Sequence, residues 1–303
     1  MSTVTLPPAV DADRHEINGD AGRMSYYVSG DGPPMLLVHS INAAGSVFEV
    51  RPVFEACRER YRVYAPDLPG FGHSDRSRRP YTVGLYVDAI NDMLDLIERD
   101  CGSVAVDALA LSLASEFLAR AARDRPMRFR SLTLVSATGF RRGSAALTEA
   151  EGSTREMRRL AAVLEFPLWR SGLYRLLTRP GTIRYFLRRT FGSADIDTEL
   201  AAYDDLTTHQ PGAENAPFAF LSGRLFSKDI RNVYEALDMR VWLAHGTRGD
   251  FSDFSEAAWT QQRGNWRVTP FETGALPYFE QPALFLDRFA EFLEAAPSLS
   301  QAE

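Results

Sequence analysis

The chain has 303 residues, 45% of them hydrophobic and 24% charged, with a formal net charge of −6. These totals fit one large globular domain or a core with an insertion, and the acidic balance argues against a nucleic-acid partner. The two cysteines, Cys57 and Cys101, form neither a metal-ligand spacing nor a disulfide framework, and no apolar run approaches a membrane span.

Residues 1–14 read as a loose leader around Pro7 and Pro8, without the basic start and apolar stretch of a signal peptide, so a cytoplasmic protein is expected. His15 to Val28, with Asn18-Gly19 and Gly22, reads as a hairpin. Met35 to Val38 is a continuous apolar run, as in a strand buried on both faces. Phe48 to Arg60 has helical spacing, Tyr61 to Ala65 is the next strand, and residues 66–75 form a Gly/Pro-rich loop. Val83 to Arg99 is a helix with Leu85, Ala89, Met93 and Leu96 on one face.

Val104 to Leu109 is apolar and strand-like, and from Leu113 onward the apolar spacing is helical. Ser112 stands between, with Ala110 and Ala114 two residues to either side. A strand turning sharply into a helix at a serine flanked by small residues is a nucleophile elbow, though the strict G-x-S-x-G pattern is absent. The plainer reading is a strand–helix junction with a capping serine. Arg130 to Ser136 is another strand.

Residues 141–237 are helical, rich in arginine and aromatics, and contain no clear strand. The aromatics, from Phe166 and Trp169 through Tyr174, Tyr185, Phe186, Phe191, Phe218, Phe220 and Phe226, either line an apolar pocket or bind the inserted helices together. The arginine clusters Arg76–Arg79, Arg155–Arg159 and Arg184–Arg189 read as surface. Alternation then resumes: Arg240 to Ala244 a strand, Phe254 to Arg263 a helix, Trp266 to Phe271 a strand, Ala283 to Ala295 a closing helix. The expected fold is α/β, a mostly parallel sheet covered by helices on both faces, with ligands bound at the strands' C-terminal ends.

The ordered motifs LLVHS, DLPGFGHSD, ALSLA, HGTRGD and LPYFEQP resemble the α/β-hydrolase superfamily over residues 15–295, and the second is typical of cap-bearing members. The resemblance implies a hydrolase core at 1–140 and 238–303 and a helical cap at 141–237. It implies that Ser112 is the nucleophile and Asp250 the acid that orients a histidine. The backbone N–H groups of Leu113 and Ile41 would be the oxyanion donors, with Ser40 where the family usually has glycine. Glu280-Gln281-Pro282 sets the register of the family's histidine, and Ala275 stands in its place. No histidine follows His245. Tyr278 is a poor substitute, since a phenol titrates near ~10.

A serine hydroxyl is a weak nucleophile without an adjacent base. His39 reads as a structural residue bonding the loop, His245 as a packed strand-end residue, and His15 and His73 as exposed or partly so. His209, in the insertion, is the candidate replacement base, against the plainer reading of a solvated loop histidine. Two functions compete. One is an enzyme acting on a small, largely apolar ester, thioester or carbonyl compound, including a non-hydrolytic variant such as a lyase. The other is an inactive ligand- or partner-binding protein. No metal cluster, phosphate-cradling loop or dinucleotide fingerprint appears, so no cofactor is expected.

Overall fold

The computed structural model describes residues 5–143 and 150–295, so the readings for residues 1–4, 144–149 and 296–303 lie outside it. Among the described residues eight strands form one sheet in the order β1-β2-β4-β3-β5-β6-β7-β8. They are β1 (Asp13–Gly19), β2 (Gly22–Ser29), β3 (Pro34–Val38), β4 (Arg62–Pro66), β5 (Val106–Leu111), β6 (Phe129–Val135), β7 (Arg240–Gly246) and β8 (Trp266–Phe271). The expected hairpin is β1–β2, paired from Asp13 with Val28 to Gly19 with Gly22. The β2–β4 pair is antiparallel, and every pair from β4 through β8 is parallel.

The central strands bury both faces, and successive residues serve opposite cores. Leu36, Val38, Ala108, Ala110, Leu132 and Leu134 pack under α2 (Val83–Cys101) and α3 (Ala114–Asp124). Met35, Leu37, Leu109, Leu111 and Val135 pack with residues of α1 (Arg51–Cys57) and of the closing helix. This is the period-two alternation of a strand whose two faces are both apolar. Cys57 and Cys101 end their helices as free thiols.

Among the described residues six helices lie between β6 and β7: α4 (Arg158–Leu164), α5 (Arg170–Leu177), α6 (Pro180–Phe191), α7 (Thr198–Thr208), α8 (Asn215–Leu221) and α9 (Ile230–Glu235). After β8 come α10 (Pro277–Glu280) and α11 (Pro282–Glu294). The inserted helices are tied into the core. Arg120 on α3 makes a buried ion pair with Asp229, just before α9. Phe48 stacks on Tyr203 of α7 at 4.7 Å between ring centres.

One expectation needs correction. The described part of the leader is not loose: Leu6, Ala9 and Val10 are buried in the second core, Ala9 N–H donates to Tyr27 Oη (3.1 Å), and Tyr203 Oη donates to Pro7 C=O (2.9 Å). Burial of these three apolar side chains and the two hydrogen bonds together offset the freedom the short segment loses. The helix expected at Phe254 to Arg263 is present as a 3-10 helix, Ser255–Gln262. It is pinned at one end by Glu256 N–H to Phe140 C=O and beyond the other by Asn265 to the carbonyls of Leu237 and Met239. A 3-10 helix rises more per residue and suits a span fixed at both ends.

Candidate active site

Ser112 follows the last residue of β5 with φ 55, a left-handed conformation that few non-glycine residues adopt. Its N–H donates to Val135 C=O of β6 (2.8 Å), and its C=O accepts from Ser115 N–H (3.1 Å), so strand and helix both hold the bend. Among the described residues Ser112 Oγ has no hydrogen-bond partner, and the residue is only partly buried. A second serine at a strand end, Ser136 after β6, also has positive φ (47). Sequence reasoning missed it, because it closes an otherwise ordinary strand.

The neighbouring loop, after β3, is built on Glu49. Its carboxylate accepts from Ser40 N–H (2.9 Å), Ser40 Oγ (3.0 Å) and Asn42 Nδ2 (2.6 Å). Asn42 Oδ1 in turn accepts from Ala44 N–H (2.6 Å). Serine in place of glycine therefore brings its own buried acceptor, which gives the loop a defined shape. His39 is fully buried. Its Nε2 accepts from Leu68 N–H (2.9 Å), which leaves the ring proton on Nδ1 to donate to Ser40 C=O (2.7 Å). Burial pushes its pKa down, so the ring stays neutral and structural. Neither Ile41 N–H nor Leu113 N–H donates to another described residue. Both sit just beyond the ends of the paired strands β3 and β5.

The remaining candidates are engaged by other residues, Asp250 and Ala275 both at the C-terminal end of α6. Asp250 is exposed, its side chain 41% so, and its carboxylate is paired with Arg189 of α6, which also donates to Tyr185 Oη. Asp250 N–H donates to Arg189 C=O (3.2 Å) as well. Ala275 is buried, with its N–H on Thr190 C=O (2.8 Å) and its C=O accepting from Ser136 Oγ (2.8 Å). A Cβ on the preceding Gly274 would collide with the backbone of Thr190 and Phe191. The C-terminal end of α6 is thus packed against Gly274 and Ala275. Glycines at 192, 246, 249 and 274 permit this backbone-on-backbone approach.

His209 has a side chain 50% exposed, and its polar contacts are with Asp205 and Thr208 of its own helix end. His245 stacks on Phe254 at 4.0 Å between ring centres, and burial lowers its pKa. The crevice between Ala43–Gly45 of the loop after β3 and Thr207 and Ala213 of the insertion is too narrow for water. Beside it lies a buried polar group that sequence reasoning missed: Asp204 of α7. Burial, with Glu49 facing it, raises its carboxyl well above the ordinary range, and one carboxyl oxygen has no partner. Tyr278 Oη is likewise buried without a partner. No helix among the described residues is long and apolar enough to cross a membrane, and none of their His, Cys, Asp and Glu side chains cluster as metal ligands.

The alpha/beta hydrolase fold family model matches residues 33–186, half of the chain. The chain belongs to the α/β-hydrolase fold family. Its sheet order and the elbow at β5 are this fold's framework. An uncharacterized protein of Mycobacterium tuberculosis, Rv2715, is 31% identical over 117 residues, 39% of this chain and 33% of that protein. The 2-hydroxymuconate semialdehyde hydrolase of Pseudomonas sp. strain CF600 is 29% identical over 150 residues, 48% of this chain and 52% of that enzyme. The match thus spans about a third to a half of the length of these curated relatives. The crystal structure of a serine hydrolase involved in carbazole degradation superposes with a TM-score of 0.71 over 93% of this chain and 99% of its own, at 16% identity, a likeness of fold.

Proposed function

We propose that this hydrolase-fold protein is an enzyme acting on a small, largely apolar ester, thioester or carbonyl compound at Ser112. The inserted helices, 141–237, would form its cap. One observation supports the reading above others: Ser112 is held at φ 55, and the amides of Leu113 and Ile41, each just beyond the end of its strand, donate to no other described residue. Such a bend costs roughly 1–3 kcal/mol and persists where surrounding structure over-determines it. Two preorganised N–H donors would bind a carbonyl oxygen and stabilise the negative charge it gains. Ser112 Oγ would attack the carbonyl carbon or donate to its oxygen. Its proton would pass to water or to the substrate's leaving group, with His209 the alternative base. Turnover is then slow by the measure of a complete triad.

Fluorophosphonate treatment followed by mass spectrometry tests this, together with p-nitrophenyl ester turnover in Ser112→Ala and His209→Ala. Slow labelling confined to Ser112, and turnover lost in Ser112→Ala, support the reading. Turnover that survives Ser112→Ala overturns it. A fall in His209→Ala as well would make the cap histidine the base.

The Asp250–Arg189 pair favours a second reading. The acid of a hydrolase triad is here engaged by an arginine of the insertion, as in a protein that holds a ligand and has lost acyl transfer. No labelling of Ser112 and no turnover, with a carbonyl ligand still bound, would establish that reading.

A further inference from the structure

Residues 157–191, from Met157 through α4, α5 and α6, carry eight arginines and one acidic residue, Glu165, in a chain whose net charge is −6. Seven of those arginines, all but Arg189, have no carboxylate partner among the described residues, whereas surface arginines elsewhere are commonly paired. The same segment exposes large apolar side chains, among them the aromatics Phe166, Trp169, Tyr185 and Phe186 that the sequence reading has lining a pocket or binding the helices together. Leu168 is 85% exposed, Trp169 46% and Phe166 42%, with Val163, Tyr185 and Phe186 about as open. The tip between α4 and α5 is ordered: the Phe166 and Trp169 rings lie 4.5 Å apart, and Trp169 Nε1 donates to Val163 C=O (2.8 Å).

Solvent gives no reason to hold an aromatic pair and a leucine outward amid unpaired guanidinium groups. Apolar and aromatic side chains that enter a bilayer interface, ringed by cations that meet anionic headgroups, do. Next to the tip, a cleft of about 390 Å³ is lined by Arg78, Arg79, Arg170 and Arg224 against a single carboxylate, Glu165. The Nε atoms of Arg79 and Arg170 are buried there without a partner. Arginines 76 and 79 had been read as surface; both are partly buried, and Arg76 bonds Thr207 C=O of the insertion (2.9 Å). Planar guanidinium forks match a phosphate group.

We propose that α4–α6 and their connecting tip dock the protein on an anionic lipid surface, with Leu168 and Trp169 entering the interface and a lipid phosphate received in the arginine cleft. Charge complementarity selects this occupant: the segment is strongly basic and the rest of the chain acidic. The protein lies on the bilayer and does not span it. The inference does not depend on chemistry at Ser112, so its test reads binding alone.

Sedimentation of the full chain with vesicles of phosphatidylglycerol and phosphatidylcholine in equal parts tests it, against vesicles of phosphatidylcholine alone. The protein is expected to pellet with the first and stay in the supernatant with the second. Salt near ~1 M, where the screening length is about 3 Å, is expected to release it. Leu168→Asp is expected to lower partitioning by about tenfold or more, the worth of one inserted leucine. Arg78→Gln is expected to weaken binding severalfold through the cleft. Both residues are exposed, so neither change threatens the fold. Trp169 emission is expected to shift to the blue on anionic vesicles, and Trp169→Phe to abolish the shift. The proposal is overturned by any of three results: no pelleting with anionic vesicles, equal pelleting with neutral ones, or pelleting that Leu168→Asp leaves unchanged. A dimer formed through this face, with the protein still in the vesicle supernatant, overturns it in favour of a second copy.

Discussion

A histidine at the position the resemblance assigns to one, Ala275→His, puts the packing around α6 to its most direct test. Ala275 is buried, its N–H engaged by Thr190 C=O at 2.8 Å and its C=O by Ser136 Oγ at 2.8 Å. Its neighbour Gly274 already touches the backbone of Thr190 and Phe191. An imidazole therefore enters filled space, and overpacking of this kind costs about 1–3 kcal/mol. In a large domain each kcal/mol moves Tm by about 2–4 °C, so a drop of several degrees is expected by scanning fluorimetry. Activity is expected to rise little. Asp250 is held by Arg189 and is not free to orient the new ring, and losing the acid alone costs a characterised serine protease about four orders of magnitude. Adding Arg189→Leu frees the carboxylate, so the double variant is expected to exceed the single in p-nitrophenyl ester turnover. The reasoning is refuted if Ala275→His alone, with unchanged Tm, gives Ser112-dependent turnover at the level of a complete triad.

Ser112→Gly should raise stability by about 1 kcal/mol in urea denaturation, because glycine adopts φ 55 without a Cβ penalty; a loss of stability would mean that the bend is not strained. Arg120→Met leaves Asp229 buried with only the Gly152 N–H (2.9 Å) beside it, and should cost about 3–5 kcal/mol by the same method, since one charge of a buried pair is left uncompensated. Asp204→Asn tests the buried carboxyl of α7. Its folded-state pKa is raised by burial and Glu49, so the protonated form stabilises at acid pH and that contribution is lost as pH rises above the ordinary carboxylate range. Comparing urea midpoints at about pH 5 and about pH 8, the variant's advantage over the parent should grow at the higher pH. A parent that is the more stable of the two at the higher pH would count against a desolvated, poorly partnered Asp204.

Much of the core was legible because its signals are local. Runs such as Met35 to Val38 have only one economical place, the middle of a parallel sheet. The small residues around Ser112 announce a tight bend, and φ 55 bears that out. The hairpin turned where Asn18-Gly19 and Gly22 stood. The leader was misjudged because two prolines say nothing about whether Leu6, Ala9 and Val10 find a groove. Arg76 and Arg79 were misjudged for a related reason: guanidinium stems reach far, and their partners are distant in sequence, Thr207 of the insertion for Arg76 and Ala21 C=O at the hairpin turn for Arg79.

What the order of residues determined by itself was the sheet, its elbow and the alanine at position 275, because strand alternation, backbone strain and a missing imidazole are properties of a residue and its near neighbours. What only the folded chain decided was how that position is filled. The C-terminal end of α6 lies against Gly274 and Ala275, and Arg189 takes hold of Asp250. The same folding decided which aromatics of the insertion were buried and which were left outward among unpaired arginines. Such outcomes depend on the approach of segments far apart in sequence, where a few glycines and the reach of one arginine select among packings that local pattern leaves equal.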